Sequence, residues 1–226
     1  QLDEIPSPYI SGMMDKFFDG KLIPMLQTNR GCPFSCTFCT DGRSDVNKVN
    51  FFGIERLKRE LDYIESNIPE STHNLYISDL NFGMYEHDLE ISRYIRELQT
   101  KSHWPKWIIA STGKNRKERV IEAIKILGGS LLLSMSVQSL DENVLTNVKR
   151  DNISTETMMS LAPVISQSNL STFSEVIVGL PGESYQSHLN TVKSLVNAKI
   201  DFVKTFSLML LMGSELATPR ERKKWD

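Results

Sequence analysis

Short apolar runs alternate with longer segments of helical period along the whole chain, and this alternation predicts a parallel sheet with helical crossovers. Strands are expected near residues 23–28, 74–79, 106–111, 130–137, 172–178 and 201–209. Between them Ile54, Leu57, Leu61, Ile64 and Ile68 recur at helical spacing, as do Leu89, Ile91, Tyr94, Ile95 and Leu98, and then Tyr185, Leu189, Val192 and Val196. These stripes read as the core-facing sides of helices. Met158, Leu161, Ala162 and Ile165 predict one more helix ahead of the fifth strand, and a shorter one starts near Asp141 with an acidic first turn. Six such βα units are two short of a closed eight-stranded barrel. No internal repeat, low-complexity tract or Pro/Gly/Ser-rich linker divides the chain, so a single core domain is the economical reading.

Composition narrows the class. With 40% hydrophobic and 24% charged residues over 226 positions, the chain is neither disordered nor collagen-like. Its longest apolar run, Leu208 to Met212, falls far short of the roughly 18 residues a membrane span needs. No secretory signal pattern is visible at the start, which points to a cytoplasmic setting. A net charge of -2 gives no electrostatic reason to expect nucleic acid. The chain opens on Gln1 and closes on the charged run Pro219 to Asp226, as a piece of a longer protein would.

All three cysteines fall in one stretch, Cys32-Pro33-Phe34-Ser35-Cys36-Thr37-Phe38-Cys39. An odd, clustered set argues against a disulfide framework and for metal binding. Structural zinc usually takes four protein ligands, and His73, the nearest histidine, lies far downstream. In a cubane iron-sulfur cluster three thiolates hold three irons, and the fourth iron stays open to a cofactor.

The order Cys-x3-Cys-x2-Cys, with Phe38 just before the last cysteine and the apolar-to-polar stretch Ile23 to Thr28 leading in, resembles the radical S-adenosylmethionine (radical SAM) superfamily. That resemblance implies an α/β fold, an open partial (β/α)6 barrel of parallel strands with the cluster loop after the first strand and ligands at the carboxyl ends of the strands. It implies a 4Fe-4S cluster on Cys32, Cys36 and Cys39, S-adenosylmethionine as cofactor, and an external flavodoxin- or ferredoxin-like electron donor. Phe38 belongs to the motif and is carried with the cofactor site. The opening Asp3 to Gly12 is similar to the linker that follows a cobalamin-binding domain in one branch. The corresponding division is a linker-like segment over 1–20, the core over 21–216 and a charged tail over 217–226, with cobalamin held upstream of Gln1.

Further residues are expected at the strand ends. Leu131, Leu133, Met135 and Val137 alternate with Leu132, Ser134, Ser136 and Gln138, so Ser134, Ser136 and Gln138 face a cofactor or are satisfied core polar groups. By resemblance, Arg150 pairs with the methionine carboxylate of the cofactor through its planar fork; a solvated arginine is the alternative. Where many members carry Gly-Gly-Glu to hold the amino group, this chain has Ser78-Asp79-Leu80-Asn81-Phe82, similar to the cobalamin branch. Asp79 or Asn81 takes that role, or the stretch is a turn or helix cap. The segment Glu175 to Glu183 is similar to the one that approaches the adenine, through Ile177 and Gly179, with Glu175 facing inward. Gly213 to Leu216 also looks familial, without a derivable role. His73, His87, His103 and His188 share no ligand spacing and read as surface or turn residues. Three functions compete: a radical SAM catalytic core, within a cobalamin-dependent methyltransferase or another radical enzyme; a non-catalytic iron-sulfur electron carrier; and a structural zinc module. The substrate is not legible.

Overall fold

The computed structural model describes residues 2–152 and 171–225. The predicted helix through Met158, Leu161, Ala162 and Ile165 lies outside these residues. The chain groups into two compact units, Gln1–Arg30 with Asn50–Leu133, and Gly31–Val49 with Ser134–Asp226.

The first unit holds a parallel sheet of β1 (Met25–Leu26), β4 (Asn74–Phe82) and β5 (Trp107–Thr112), in the order β1-β4-β5. A short antiparallel pair, β2 (Asn29–Arg30) and β3 (Asn50–Phe51), was not foreshadowed by periodicity. Helices α1 (Ile54–Asn67) and α2 (Glu86–Ser102) form around the expected stripes, and α3 (Lys117–Ile126) follows β5 where no stripe was named. Leu57, Leu61 and Ile64 of α1, Leu75 and Ile77 of β4, and Ile91 and Ile95 of α2 are completely buried, each worth about 1.5–3 kcal/mol of transfer free energy. The first residues pack onto this unit. Asp3 accepts from the Gly53 amide at the start of α1, and Arg56 donates to the carbonyls of Leu2 and Ile5.

In the second unit β6 (Leu133–Ser134), β7 (Thr172–Val178) and β8 (Phe202–Ser207) line up in the order β6-β7-β8, with β7 and β8 parallel. Regular β6 is much shorter than the expected 130–137, and Gln138, just past that span, turns to positive φ; the partnership with β7 nevertheless continues through the Met135 and Gln138 amides, which donate to the Phe173 and Glu175 carbonyls. Helix α4 (Glu142–Asn147) starts where expected, with the Asp141 carboxylate accepting from the amides of Asn143 and Val144. Helix α5 (Tyr185–Asn197) corrects its stripe: Tyr185 is 83% and Val196 63% exposed, while Thr191 and Leu195 are buried. The Thr191 hydroxyl accepts the Leu140 amide, which turns the 191/195 face inward. The charged run expected as a solvated tail winds into α6 (Pro219–Trp225). His87 and His188 also depart from expectation. Both sit half-buried on helices, His87 Nε2 against the Phe52 carbonyl and His188 Nδ1 against Glu183.

Candidate metal centre and cofactor site

The cysteine loop lies in the second unit, and no disulfide joins its thiols. Cys36 is 6% exposed; Cys32 and Cys39 are half-buried. Burial pushes the Cys39 thiol above its ordinary value; the Asp41 backbone amide pulls it down, while the Asp41 charge and the neighbouring Cys32 and Cys36 push it further up. Cys39 thus lies within electrostatic reach of both Cys32 and Cys36. Among the described residues no three His, Cys, Asp or Glu side chains converge on a point that would hold one metal ion. One zinc needs such convergence; a cubane, in which each thiolate takes its own iron, does not. The donor set fits a cluster.

The loop is braced by partners distant in sequence. The Thr37 amide donates to the Val148 carbonyl at the end of α4 (3.0 Å), and the Thr37 carbonyl accepts the Leu216 amide (2.8 Å). Glu215 pairs with Lys149 at 2.7 Å. The Gly213 to Leu216 stretch, without a role in the sequence, therefore straps the cysteine loop in place. Cys36 and Cys39 open onto a cavity of about 500 Å³ lined also by Arg43, Lys149, Ser214 and Glu215.

Beside the loop lie the polar ends of β6 and β7. Ser134 and Ser136 share a hydroxyl hydrogen bond of 2.8 Å, and Ser136 donates to Glu175 Oε2 at 3.2 Å. The expected row is thus formed, with Glu175 as its carboxylate. Gln138 bridges the strands through its backbone, donating to the Glu175 carbonyl and accepting from the Ile177 amide, both at 2.9 Å. Its side-chain Oε1 is buried with no hydrogen-bond partner among the described residues. A buried orphan acceptor is costly unless a ligand donor meets it. Phe38 and Ile177 pack on one apolar cluster, Val144, Val148 and Leu180. Gly179 has φ +87° and donates its amide to Glu183.

Arg150 is not a solvated arginine. Its Nε donates to the Val137 carbonyl (3.2 Å) and Asn152 Oδ1 (2.8 Å), its Nη2 to the Ser136 carbonyl (2.5 Å), and its Nη1 to Cys36 Sγ (3.8 Å).

Asp79 and Asn81 belong to the first unit. Strand β4 runs on to Phe82, so both are strand residues, next to a register shift between Ile77 and Phe82; the Asn81 carbonyl also accepts the Met84 amide, closing a turn through Gly83. The Asp79 carboxylate is fully engaged. Oδ1 accepts the amides of Thr28 (2.8 Å) and Asn29 (3.3 Å), and Oδ2 accepts the Thr28 hydroxyl and Asn29 Nδ2. Burial pushes its pKa up to about 6 against the pull of these donors, so at neutral pH it is ionised and holds the chain just ahead of the cysteine loop. Asn81, the other residue of the pair, is also buried. Asp79→Asn sets an amide donor against Asn29 Nδ2 or the Thr28 hydroxyl, and the lost pairing should cost about 1–3 kcal/mol. A melting temperature lowered by several degrees in the metal-free chain is the expected reading; an unchanged one would show that Asp79 clamps nothing.

The Radical SAM superfamily model matches residues 26–195. The chain belongs to the radical SAM superfamily. It is 32% identical to a 2-(S-pantetheinyl)-carbapenam-3-carboxylate methyltransferase of Streptantibioticus cattleyicolor, over 96% of this chain and 33% of that protein. It is 30% identical to the cobalamin-dependent radical SAM methyltransferase TokK of Streptomyces tokunonensis, over 100% of this chain and 34% of TokK. The chain therefore spans about a third of the length of these relatives. Among solved structures, the radical SAM methyltransferase TsrM of Kitasatospora setae, with cobalamin and a [4Fe-4S] cluster bound, superposes with a TM-score of 0.70 at 12% identity, covering 86% of this chain and 36% of that one. Methylornithine synthase superposes at 0.60 and 14% identity, over 100% of this chain and 67% of its own. The parallel α/β partial-barrel fold expected of a radical SAM core is thereby shown, with a 4Fe-4S cluster and S-adenosylmethionine as the cofactors of the family.

Proposed function

We propose that residues 21–216 are the catalytic core of a cobalamin-dependent radical SAM methyltransferase acting on a small molecule. The observation that carries the reading is the braced loop of three cysteines tied through Arg150 to the polar ends of β6 and β7. Cys32, Cys36 and Cys39 would hold the cluster, and Gln138, Ser134, Ser136, Phe38, Ile177 and Gly179 the cofactor. When both are bound, they would supply the one-electron reductive cleavage of the S-adenosylmethionine sulfonium, to methionine and a 5′-deoxyadenosyl radical.

The residues of this chain position and shield. Gln138 Oε1 offers an acceptor that nothing among the described residues fills. Ser134, Ser136 and Glu175 present hydroxyl and carboxylate groups suited to a polyhydroxylated ligand. Arg150 keeps one N–H on each terminal nitrogen outside the bonds described above, enough to meet the methionine carboxylate. Phe38 and Ile177 supply an apolar wall on the Val144–Val148–Leu180 cluster. Support for methyl transfer comes from the two methyltransferase relatives, and support for cobalamin, bound outside residues 1–226, from TokK. The electron donor is an external flavodoxin- or ferredoxin-like protein, and the setting is the cytoplasm. No helix of the described residues is long and apolar enough to cross a membrane.

Anaerobically reconstituted and reduced, the chain should convert S-adenosylmethionine slowly to 5′-deoxyadenosine without further substrate. A loaded chain that binds the cofactor yet releases none over hours would favour a plain electron carrier.

A further inference from the structure

Arg150 stands apart from the other cations around the cysteine loop. Arg43 is neutralised by Asp45 at 2.5 Å and Lys149 by Glu215 at 2.7 Å. Among the described residues no carboxylate pairs with Arg150; its acceptors are the uncharged oxygens of Ser136, Val137 and Asn152, and one sulfur, Cys36 Sγ at 3.8 Å. Three neutral oxygens fix the guanidinium without cancelling its charge. Asn152 is itself fixed, donating through Nδ2 to the carbonyls of Val137 and Ser139, both at 2.8 Å. Cys36 is the buried cysteine of the three, where the field of a nearby charge is screened least by water.

We infer that Arg150 is a positioning residue that orients Cys36 and sets the reduction potential of the cluster bound there. This rests on the reading proposed above, in which Cys36 is a cluster ligand. Reduction adds one negative charge to the cluster, and the potential of an iron-sulfur centre depends on its net charge, its burial and the hydrogen bonds to its sulfurs. A fixed, uncompensated guanidinium against one thiolate stabilises the reduced form over the oxidised one. The cluster is thereby easier to charge than the same loop would make it without the arginine. This duty is separate from any contact with the cofactor, because it is exercised on the cysteine itself.

The test is an EPR-monitored redox titration of the reconstituted chain, in the absence of S-adenosylmethionine, with iron and sulfide measured on every sample. Arg150→Gln should lower the reduction equilibrium constant about tenfold, which for one electron is a midpoint about 59 mV more negative. Arg150→Lys keeps the charge and loses the fork, so its midpoint should fall between the two. Should Arg150→Gln take up no cluster, Asn152→Asp reads the same effect with the arginine retained, because it places a carboxylate on the guanidinium and should move the midpoint down part of the way. A fully loaded Arg150→Gln or Asn152→Asp chain with the wild-type midpoint overturns the inference. A wild-type chain that takes up no cluster overturns the functional reading instead.

Discussion

Cys32→Ala, Cys36→Ala and Cys39→Ala should each leave anaerobic reconstitution with little iron or sulfide, against about four irons per chain for the wild type. Each thiolate holds its own iron in the arrangement argued here, so two remaining cysteines leave two corners of a cubane without protein ligands. The loss should be near complete in all three, yet the apo-proteins should differ. Cys36 is buried and receives the Arg150 N–H, so Cys36→Ala also leaves a guanidinium donor without its acceptor and should lower apo stability. Cys39 is half-buried and donates weakly to Asp41, so Cys39→Ala should melt closer to wild type. Iron and sulfide assays, visible absorbance and thermal melts on the three variants check both statements. A single variant that keeps the full spectrum and iron content would remove that cysteine from the cluster.

Gly31→Ala and Gly42→Ala should abolish loading almost as completely, with every cysteine present. Gly31 has φ +105°, and a Cβ there would lie 2.1 Å from the Lys48 carbonyl oxygen. At Gly42 a Cβ would lie 2.4 Å from the Cys36 carbonyl oxygen and 3.0 Å from its nitrogen. Both obstacles are backbone, which cannot swing aside as a side chain can. The loop must therefore open, moving Cys32 in one case and Cys36 in the other. The strain should reach at least about 1–3 kcal/mol at each position. Gly129→Ala is the control: its φ is +79° and a Cβ would meet nothing within 4 Å, so it carries the backbone penalty alone, about 1–2 kcal/mol, and should load normally. Iron per chain separates the cases, and a Gly42→Ala protein that loads as well as Gly129→Ala would show that the loop tolerates the displacement.

Much of this was legible from the sequence because it is local. The six expected strands each coincide with a strand in the structure, since period-two burial and β-branched runs act over a few residues. The alternation through Leu131 to Gln138 placed Leu131, Leu133, Met135 and Val137 on the buried face, and Ser134 and Ser136 in a row with Glu175. What escaped depends on distant partners. Nothing in the Gly213 to Leu216 stretch announces that its Leu216 amide meets Thr37. Asp79 reads as a ligand-facing carboxylate until Thr28 and Asn29 are seen to occupy both its oxygens. On α5 the more apolar stripe is not the one turned inward, and the Leu140 amide that meets the buried Thr191 hydroxyl lies far away in sequence. Glycines 31 and 42 carry no pattern at all, because their role is to leave room for a backbone met only in the folded loop.

Both polar groups of the Thr37 peptide unit are claimed by segments made much later: its amide by Val148, its carbonyl by Leu216. On a growing chain, the cysteines leave the ribosome well ahead of both partners and wait for them. Until Leu216 has been added, the loop lacks its last strap, and iron delivered then meets loose thiols open to oxidation and to mismatched metals. An order of assembly is therefore built into the connectivity: Val148 and Leu216 must both be made before the loop can be shaped, and cluster delivery comes after them.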